Sequence, residues 1–422
     1  MLLACACNFL LLASYYILRP VRDTVATIYG VDQLQQLFTA TFVGTILASA
    51  AYSALASRVR LLRLLPGVFW FWLVNIVLFA VLLHRAPEGR ALGAAYYVWF
   101  SVANLFMISL FWSLIVDVFA PAQATRYFGA IAAGGAIGAI AGPLLTRLLV
   151  GRLGLDGMLL VAAGGFAAVI VLVHLLMREK ARLRLQDASA QQSTLDHALK
   201  GNALDGFREL FRSRFVLNQA AFILLMTWVN TVAYFLQTDL VARSYSGIAG
   251  RAQAIADIDL VVNVCTAVIL VLGLGRIVQR FGVTTGLILN PVLMVFAFIA
   301  TALSPTLLVI QGLQVVRRVA QYAIARPSRE ICFTVVEQGS RYKAKNVVDT
   351  VVYRFGDVSS AWGQAGLRAL GFGLGGTVAL GVGASVVWGA AAALLGRRYE
   401  QLRAQQSHSQ EATMRPPVPE VP

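Results

Sequence analysis

Charge is scarce in this sequence. Asp, Glu, Lys and Arg make up 13% of its 422 residues, about half of the roughly 25% found in soluble domains. Too few polar residues remain to cover globular domains of that total length, which excludes a water-soluble cytosolic enzyme. Acids are scarcer than bases, with 20 Asp+Glu against 35 Lys+Arg and a net charge of +15. Lysine is nearly absent, 4 copies to 31 of arginine; that ratio fits a GC-rich bacterial gene. The four cysteines (Cys5, Cys7, Cys265, Cys332) stand in apolar or near-apolar runs without metal-ligand spacing, so they read as small buried hydrophobes. Leu2-Leu3-Ala4-Cys5 imitates a lipoprotein cleavage box, but no basic and apolar regions precede it. His84, His174, His197 and His408 are scattered, with no metal or triad spacing. Phosphate-loop and dinucleotide fingerprints are missing as well. The sequence therefore offers no catalytic constellation, no metal site and no cofactor site.

What it has in abundance is apolar length. Hydrophobic residues make up 58% of the chain and the mean hydropathy is +0.72. Stretches of about 20 apolar residues, enough to cross a bilayer, recur at 5–28, 36–56, 67–84, 92–116, 129–149, 157–177, 216–237, 257–275, 283–303, 306–325, 347–369 and 375–395. The layout predicts an all-α membrane protein of twelve transmembrane helices. Residues 1–177 form one six-helix half and 216–398 the other. A basic linker, 178–215, separates them and closes on the amphipathic stretch Leu204 to Phe211, and a Pro-rich tail, 399–422, reads as disordered.

The positive charge now has an explanation. With the N-terminus in the cytoplasm, inner loops and tail carry 23 Lys/Arg, whereas outer loops and the helix ends beside them carry 7. That bias places both termini in the cytoplasm, and it makes the net charge a matter of topology rather than of nucleic-acid binding. Three matches at nearly one offset suggest a duplicated unit. Arg58 pairs with Arg276, Arg126-Tyr127 with Arg341-Tyr342, and Asp23-Thr24-Val25-Ala26 with Asp239-Leu240-Val241-Ala242. Two parallel six-helix halves are the architecture of the major facilitator fold.

Five arginines are left over at apparent membrane depth: Arg19, Arg22, Arg317, Arg318 and Arg354. Each costs about 2.5–3.5 kcal/mol at a helix centre, so each needs a reason. Arg19 and Asp23 are i,i+4 on helix 1, and Arg354 and Asp357 are i,i+3 on helix 11, spacings that allow pairing. Arg317 and Arg318 stand in the inner half of helix 10, where snorkelling is an alternative to a solute-binding role. Arg22 has no acid at i±3 or i±4, Asp23 projects about 100° away, and Pro20 frees the carbonyl of Tyr16 and kinks the helix. Such a break beside a cation suits a substrate cavity. Gly134, Gly138 and Gly142 form a smooth stripe on helix 5 that suits close packing or sliding.

The segment Ile17-Leu18-Arg19-Pro20-Val21-Arg22-Asp23 resembles the helix 1 signature of the ATP/ADP translocase family, the nucleotide transporters of plastids and intracellular bacteria. In that family the basic member of the Lys-Asp or Arg-Asp pair is implicated in nucleotide transport. A second block also resembles it: Arg318, Tyr322, Pro327-Ser328-Arg329-Glu330, then Arg341-Tyr342-Lys343-Ala344-Lys345 leading to Asp349. The established exchangers carry acids in helices 4 and 8 or the loop before helix 8. Here helix 4 reads Trp99-Phe100-Ser101-Val102-Ala103-Asn104 without an acid, and the stretch Tyr234 to Asp239 offers one acid near helix 7.

The leading expectation is an inner-membrane carrier, bacterial by composition, whose halves rock around a midplane cavity and exchange an anionic solute such as a nucleotide or another phosphorylated metabolite. Arg22, Arg318, Arg317 and Arg354 would bind phosphate oxygens, with Arg19, Asp23 and Asp239 beside them. Gly134, Gly138, Gly142, Arg58, Arg276, Arg329 and Lys345 are the gating candidates. Two alternatives stay open: a proton-coupled carrier of a neutral or cationic solute using Asp23, Asp239 or Asp357, and a membrane sensor or assembly factor that does not transport. Arg22→Ala is expected to abolish solute uptake with expression unchanged; retained uptake would overturn that residue's assignment.

Overall fold

The computed structural model describes residues 1–56, 61–119, 121–186, 210–271, 275–335, 345 and 347–414. Among these residues every regular element is helical. The first four helices are α1 (Leu2–Tyr29), α2 (Leu34–Ala56), α3 (Leu61–Arg85) and α4 (Arg90–Val118). The run Pro121–Gln186 is interrupted at Gly154, whose φ of 70° and ψ of −176° lie outside any helix. It therefore comprises two segments, α5 (121–153) and α6 (155–186), and glycine is the residue that tolerates the joint. Then come α7 (Arg214–Ser244), α8 (Ile248–Val271) and α9 (Gly275–Leu303), the last kinked at Gly282.

Two helices are composite. In α10, Leu307–Ala320 passes through a π-helical turn, Gln321–Ala325, into Arg326–Cys332. Pro327 lacks an amide hydrogen and would crowd the preceding turn, and the wider π turn lies directly before it. In α11, a π turn at Val348–Val352 leads into Tyr353–Ala369. The last helix, α12, is Leu374–Met414. Among the described residues the protein is all-α, with twelve helices. Nine helical stretches among the described residues are long and apolar enough to cross a membrane, with α5 and α6 counted as one. α10 and α11 fall outside that count because their π turns divide them into shorter pieces. Exposed side chains such as Phe71, Val74, Leu148, Leu160 and Phe296 form the apolar exterior that a bilayer covers.

The tail differs from expectation. Helix continues to Met414, so most of 399–422, read from sequence as disordered, is ordered as an extension of α12. Residues 187–209 of the linker, Arg58, Arg341 to Ala344 and 415–422 lie outside the described residues, as do the side chains of Arg126 and Arg276.

The chain divides into two compact units. The first holds Met1–Lys200 and Phe235–Ala267, the second Gly201–Tyr234 and Val268–Pro422. Residues 235–267, placed by sequence in the 216–398 half, therefore pack with the first unit. The reason is the small and polar face of α8: Ala252, Ala256, Asp259 and Asn263 are all buried, and the Asn263 amide donates to the carbonyl of Ala139 on α5 at 2.6 Å.

The first unit is organised by a seam between α1 and α5. A Cβ added at Gly134 would stand 2.7 Å from the carbonyl oxygen of Cys5, and one at Gly142 2.5 Å from that of Ala13. At Gly138, between them, it would collide with the carbonyl oxygen of Phe9. Both members of each pair advance by four residues, so the helices run parallel with backbone resting on backbone. The buried Asn8 amide donates across the seam to the carbonyl of Ile131 at 2.8 Å. In the second unit, α12 lies on α9 through Gly381 against Phe298 and on α7 through Trp388 against Phe222. Gly356 of α11 abuts Thr227 of α7.

Gly138→Ala is expected to destabilise the protein by about 1–3 kcal/mol, because the obstructing atom is backbone and cannot rotate away. Gly164→Ala, where nothing stands within 4 Å, is the control, expected to be neutral or slightly stabilising. Thermal unfolding in detergent distinguishes the two.

Candidate functional site

Three groups of charged residues, each inside one unit, bear on the candidate site. The first lies on α1 and α8. α1 continues through Pro20 as regular helix, and the Thr24 hydroxyl donates to the Pro20 carbonyl at 2.7 Å; the expected break at this point is not formed. Arg22 does have an acid. Its Nε and Nη2 donate to Asp23 Oδ1 at 2.8 and 2.6 Å. The 100° between neighbouring side chains is bridged by the length of the arginine, which curls back around the helix. The guanidinium lies 5.3 Å from the ring centre of Tyr97 and 5.8 Å from that of Phe100, and these aromatic faces contribute to holding the cation.

Arg19 stands 4.0 Å from Asp23 Oδ2 but closer, at 3.7 Å, to Asp259 Oδ1 on α8. Both carboxylates are almost wholly buried. This group holds two arginines and two aspartates and is formally neutral.

Asp259 was not singled out from the sequence. The apolar window put the start of helix 8 at 257, which made Asp259 a terminal residue. The helix begins at Ile248, and Asp259 falls in its middle. The alanines at 252, 254 and 256 were the available signal, since they extend helix without raising hydropathy much. Asp239, by contrast, pairs with Arg243 one turn further along α7, at 2.8 Å.

The second group lies on α7, α10 and α11. Arg317 is held by neutral amides: Nη1 donates to Asn230 Oδ1 at 2.8 Å, while Nε and Nη2 donate to Gln314 Oε1 at 3.1 and 2.8 Å. Gln314 is oriented for this role because its own amide donates to the Ala233 carbonyl at 2.7 Å. Arg318 is 2% exposed and Arg317 8%, so their side chains are enclosed by protein and do not snorkel. Arg354 Nη1 lies 3.5 Å from Asp357 Oδ2, and Asp357 Oδ1 accepts from the Thr231 hydroxyl at 3.2 Å. The i,i+3 pairing expected on α11 is therefore present. Arg318, the chain neighbour of Arg317, is buried on the same turn of α10. Asn230 and Gln314 gave no sequence signal, because an isolated amide in an apolar helix has no characteristic spacing.

The third group ties the end of α10 to the start of α11. Arg329 bonds Asp349, and Glu330 lies 3.4 Å from Arg329 and 2.5 Å from Lys345. Arg329 and Lys345, named from sequence as gating candidates, are thus joined through Glu330 into a balanced chain of four charges. Gly134, Gly138 and Gly142 lie in the α1–α5 seam, against the main chain at Cys5, Phe9 and Ala13.

Residues 4–320 match the pattern that defines the Major Facilitator Superfamily. The chain belongs to that superfamily. As a major facilitator it is a multi-pass membrane transporter and not an enzyme. No curated protein matches its sequence. Solved structures with the same fold include a bacterial homologue of the human lysosomal transporter Spinster, inward-facing and unoccupied, at 15% identity and a TM-score of 0.57, covering 94% of this chain and 97% of that one. The nucleoside transporter NupG is similar at 14% identity and a TM-score of 0.63, with 95% and 99% covered. A D-xylose-proton symporter is similar at 12% identity and a TM-score of 0.61, with 92% and 96% covered. At such identities the likeness concerns the fold alone.

The balance in this facilitator's first group generates a prediction. Asp23→Ala leaves two arginines facing fewer acids and is expected to lower stability by up to about 3–5 kcal/mol. Combining Arg22→Gln with Asp23→Asn removes both charges and is expected to recover most of that loss, read as the unfolding midpoint in detergent.

Proposed function

We propose that this protein is an alternating-access carrier of the bacterial inner membrane, both termini cytoplasmic, that exchanges an anionic solute, most specifically a nucleotide or another phosphorylated metabolite. The observation that carries this reading is the second group. Arg317 and Arg318 are buried on the same turn of α10, and Arg317 is oriented by the side-chain amides of Asn230 and Gln314. A phosphate oxygen set is the chemistry that a planar guanidinium binds through paired charge-assisted hydrogen bonds. The resemblance of the Ile17 to Asp23 segment and of the Arg318 to Asp349 block to the ATP/ADP translocase family supports the same solute class.

Exchange suits such a site: guanidiniums that hold an anion when loaded are costly to carry through a low-dielectric environment without it, so a carrier returning loaded is favoured over one returning empty. The structure also shifts emphasis among the arginines. Arg22, with its salt bridge to Asp23, is a less direct ligand than Arg317 and Arg318. A second reading, proton-coupled transport of a neutral solute, draws support from the buried carboxylates of Asp23 and Asp259.

Reconstituted protein loaded with unlabelled ADP should take up labelled ATP. Arg318→Gln should reduce that uptake at least about tenfold, equivalent to about 1.4 kcal/mol of lost stabilisation, while the protein remains folded. Uptake of a neutral solute that follows a pH gradient and ignores ATP, ADP and phosphate would overturn the anionic reading in favour of the second one.

A further inference from the structure

α11 carries a polar stripe of which the transport reading uses only one end. Asp357, Ser360 and Gln364 are spaced i, i+3 and i+7 and are all buried, so they share one face of the helix. That face meets α7. Asp357 Oδ1 accepts from the Thr231 hydroxyl at 3.2 Å, and the Ser360 hydroxyl donates to the Trp228 carbonyl at 3.2 Å. Gln364 differs from both. It is 0% exposed, yet neither its amide nitrogen nor its side-chain oxygen has a hydrogen-bond partner among the described residues. Gln314, by contrast, uses both ends of its amide, donating to the Ala233 carbonyl and accepting from Arg317. An enclosed amide with donor and acceptor both idle is costly. A ligand that can accept and donate at once removes that cost.

We propose that Gln364 determines specificity at the uncharged end of the solute, by pairing its amide with the edge of a nucleobase. The proposal rests on the anionic-solute reading above and gives that site a second contact, within the same unit. Adjacent donor and acceptor atoms in one plane are what a nucleobase edge presents, and a glutamine amide matches them with two parallel hydrogen bonds, as it does for adenine. The spacing agrees. Gln364 lies seven residues beyond Asp357, about 10 Å along the helix, and Asp357 is the residue that Arg354 approaches at 3.5 Å. Phosphate at the arginines and base at Gln364 leave the ribose to span that interval. Ser360 and Ala361, one turn before Gln364, are small, so a flat ring reaches the amide without displacing a bulky neighbour on α11. Gln219 and Asn290 are also buried with both amide atoms unpartnered among the described residues. They stand on α7, three turns before Asn230, and on α9, off this stripe, and so provide a control.

The test uses the full chain in detergent or nanodiscs with three probes: ATP, purine riboside triphosphate (which lacks adenine's amino donor) and tripolyphosphate. The wild type should bind ATP about tenfold tighter than purine riboside triphosphate. Gln364→Leu should abolish that preference while binding tripolyphosphate as the wild type does. Asn290→Leu, which removes an equally buried amide off the stripe, should keep the preference. Because Gln364→Leu deletes a polar group without partners, the variant should unfold at or above the wild-type midpoint. Equal binding of ATP and purine riboside triphosphate by the wild type would overturn the proposal, and that arm needs no variant to fold. A preference that survives in Gln364→Leu, or an equal loss of affinity for all three probes, would also overturn it with the anionic-solute reading intact. Failure of the wild type to bind any of the three would instead remove the anionic-solute reading on which the proposal stands.

Discussion

A guanidinium inside a membrane-spanning helix keeps its charge, so the protein around it must supply what water would have supplied. The rest of this molecule is arranged to meet that demand, and its two units do so differently. In the first, acids answer arginines one for one, with Asp23 on Arg22 and Asp259 on Arg19. In the second, amides do part of the work: Gln314 is fixed by a main-chain carbonyl of α7 and in turn fixes Arg317. The first arrangement is closed on itself. The second draws on amides of two helices to orient one guanidinium.

Much of the architecture was legible because a bilayer imposes length and apolarity on every crossing. All twelve helices were found, and the four-residue rhythm of Gly134, Gly138 and Gly142 identified a contact face. The five arginines at depth stood out for the same reason. Their partners were harder to read. Arg22 and Asp23 are sequence neighbours, and a projection angle alone discards such a pair, because it ignores the reach of a long side chain. Asp259 is 240 residues from Arg19, and Arg251, Gln253 and Asp257 before it kept hydropathy too low to mark the start of α8. Asn230 and Gln314 have importance only through the guanidinium that lies between them. A tail rich in polar residues at its end looked disordered, yet α12 carries helix through it to Met414.

Sequence order and packing also part company at α8. The expected division of the sequence at 178–215 assigns it to the second set of six helices, whereas its buried alanines and Asn263 pack it with the first unit. Nothing in a repeat predicts this, since a repeat describes ancestry and not which polar face finds a partner. The seam between α1 and α5 gives the arrangement its firmness. Because those helices meet backbone to backbone, Arg19, Arg22 and Asp23 on α1 are positioned by α5 as much as by their own helix.

Arg318 and Arg329 are separated by eleven residues, about three turns of ordinary helix, and would normally line up on a single stripe. The π turn at Gln321–Ala325 accommodates one residue more than an α turn and so rotates all that follows by about 100°. Arg318 is thereby turned off the stripe of Arg329, and Arg317, twelve residues before Arg329, comes onto it instead. The π turn thus decides which of two adjacent arginines faces the same way as the Arg329–Asp349 link.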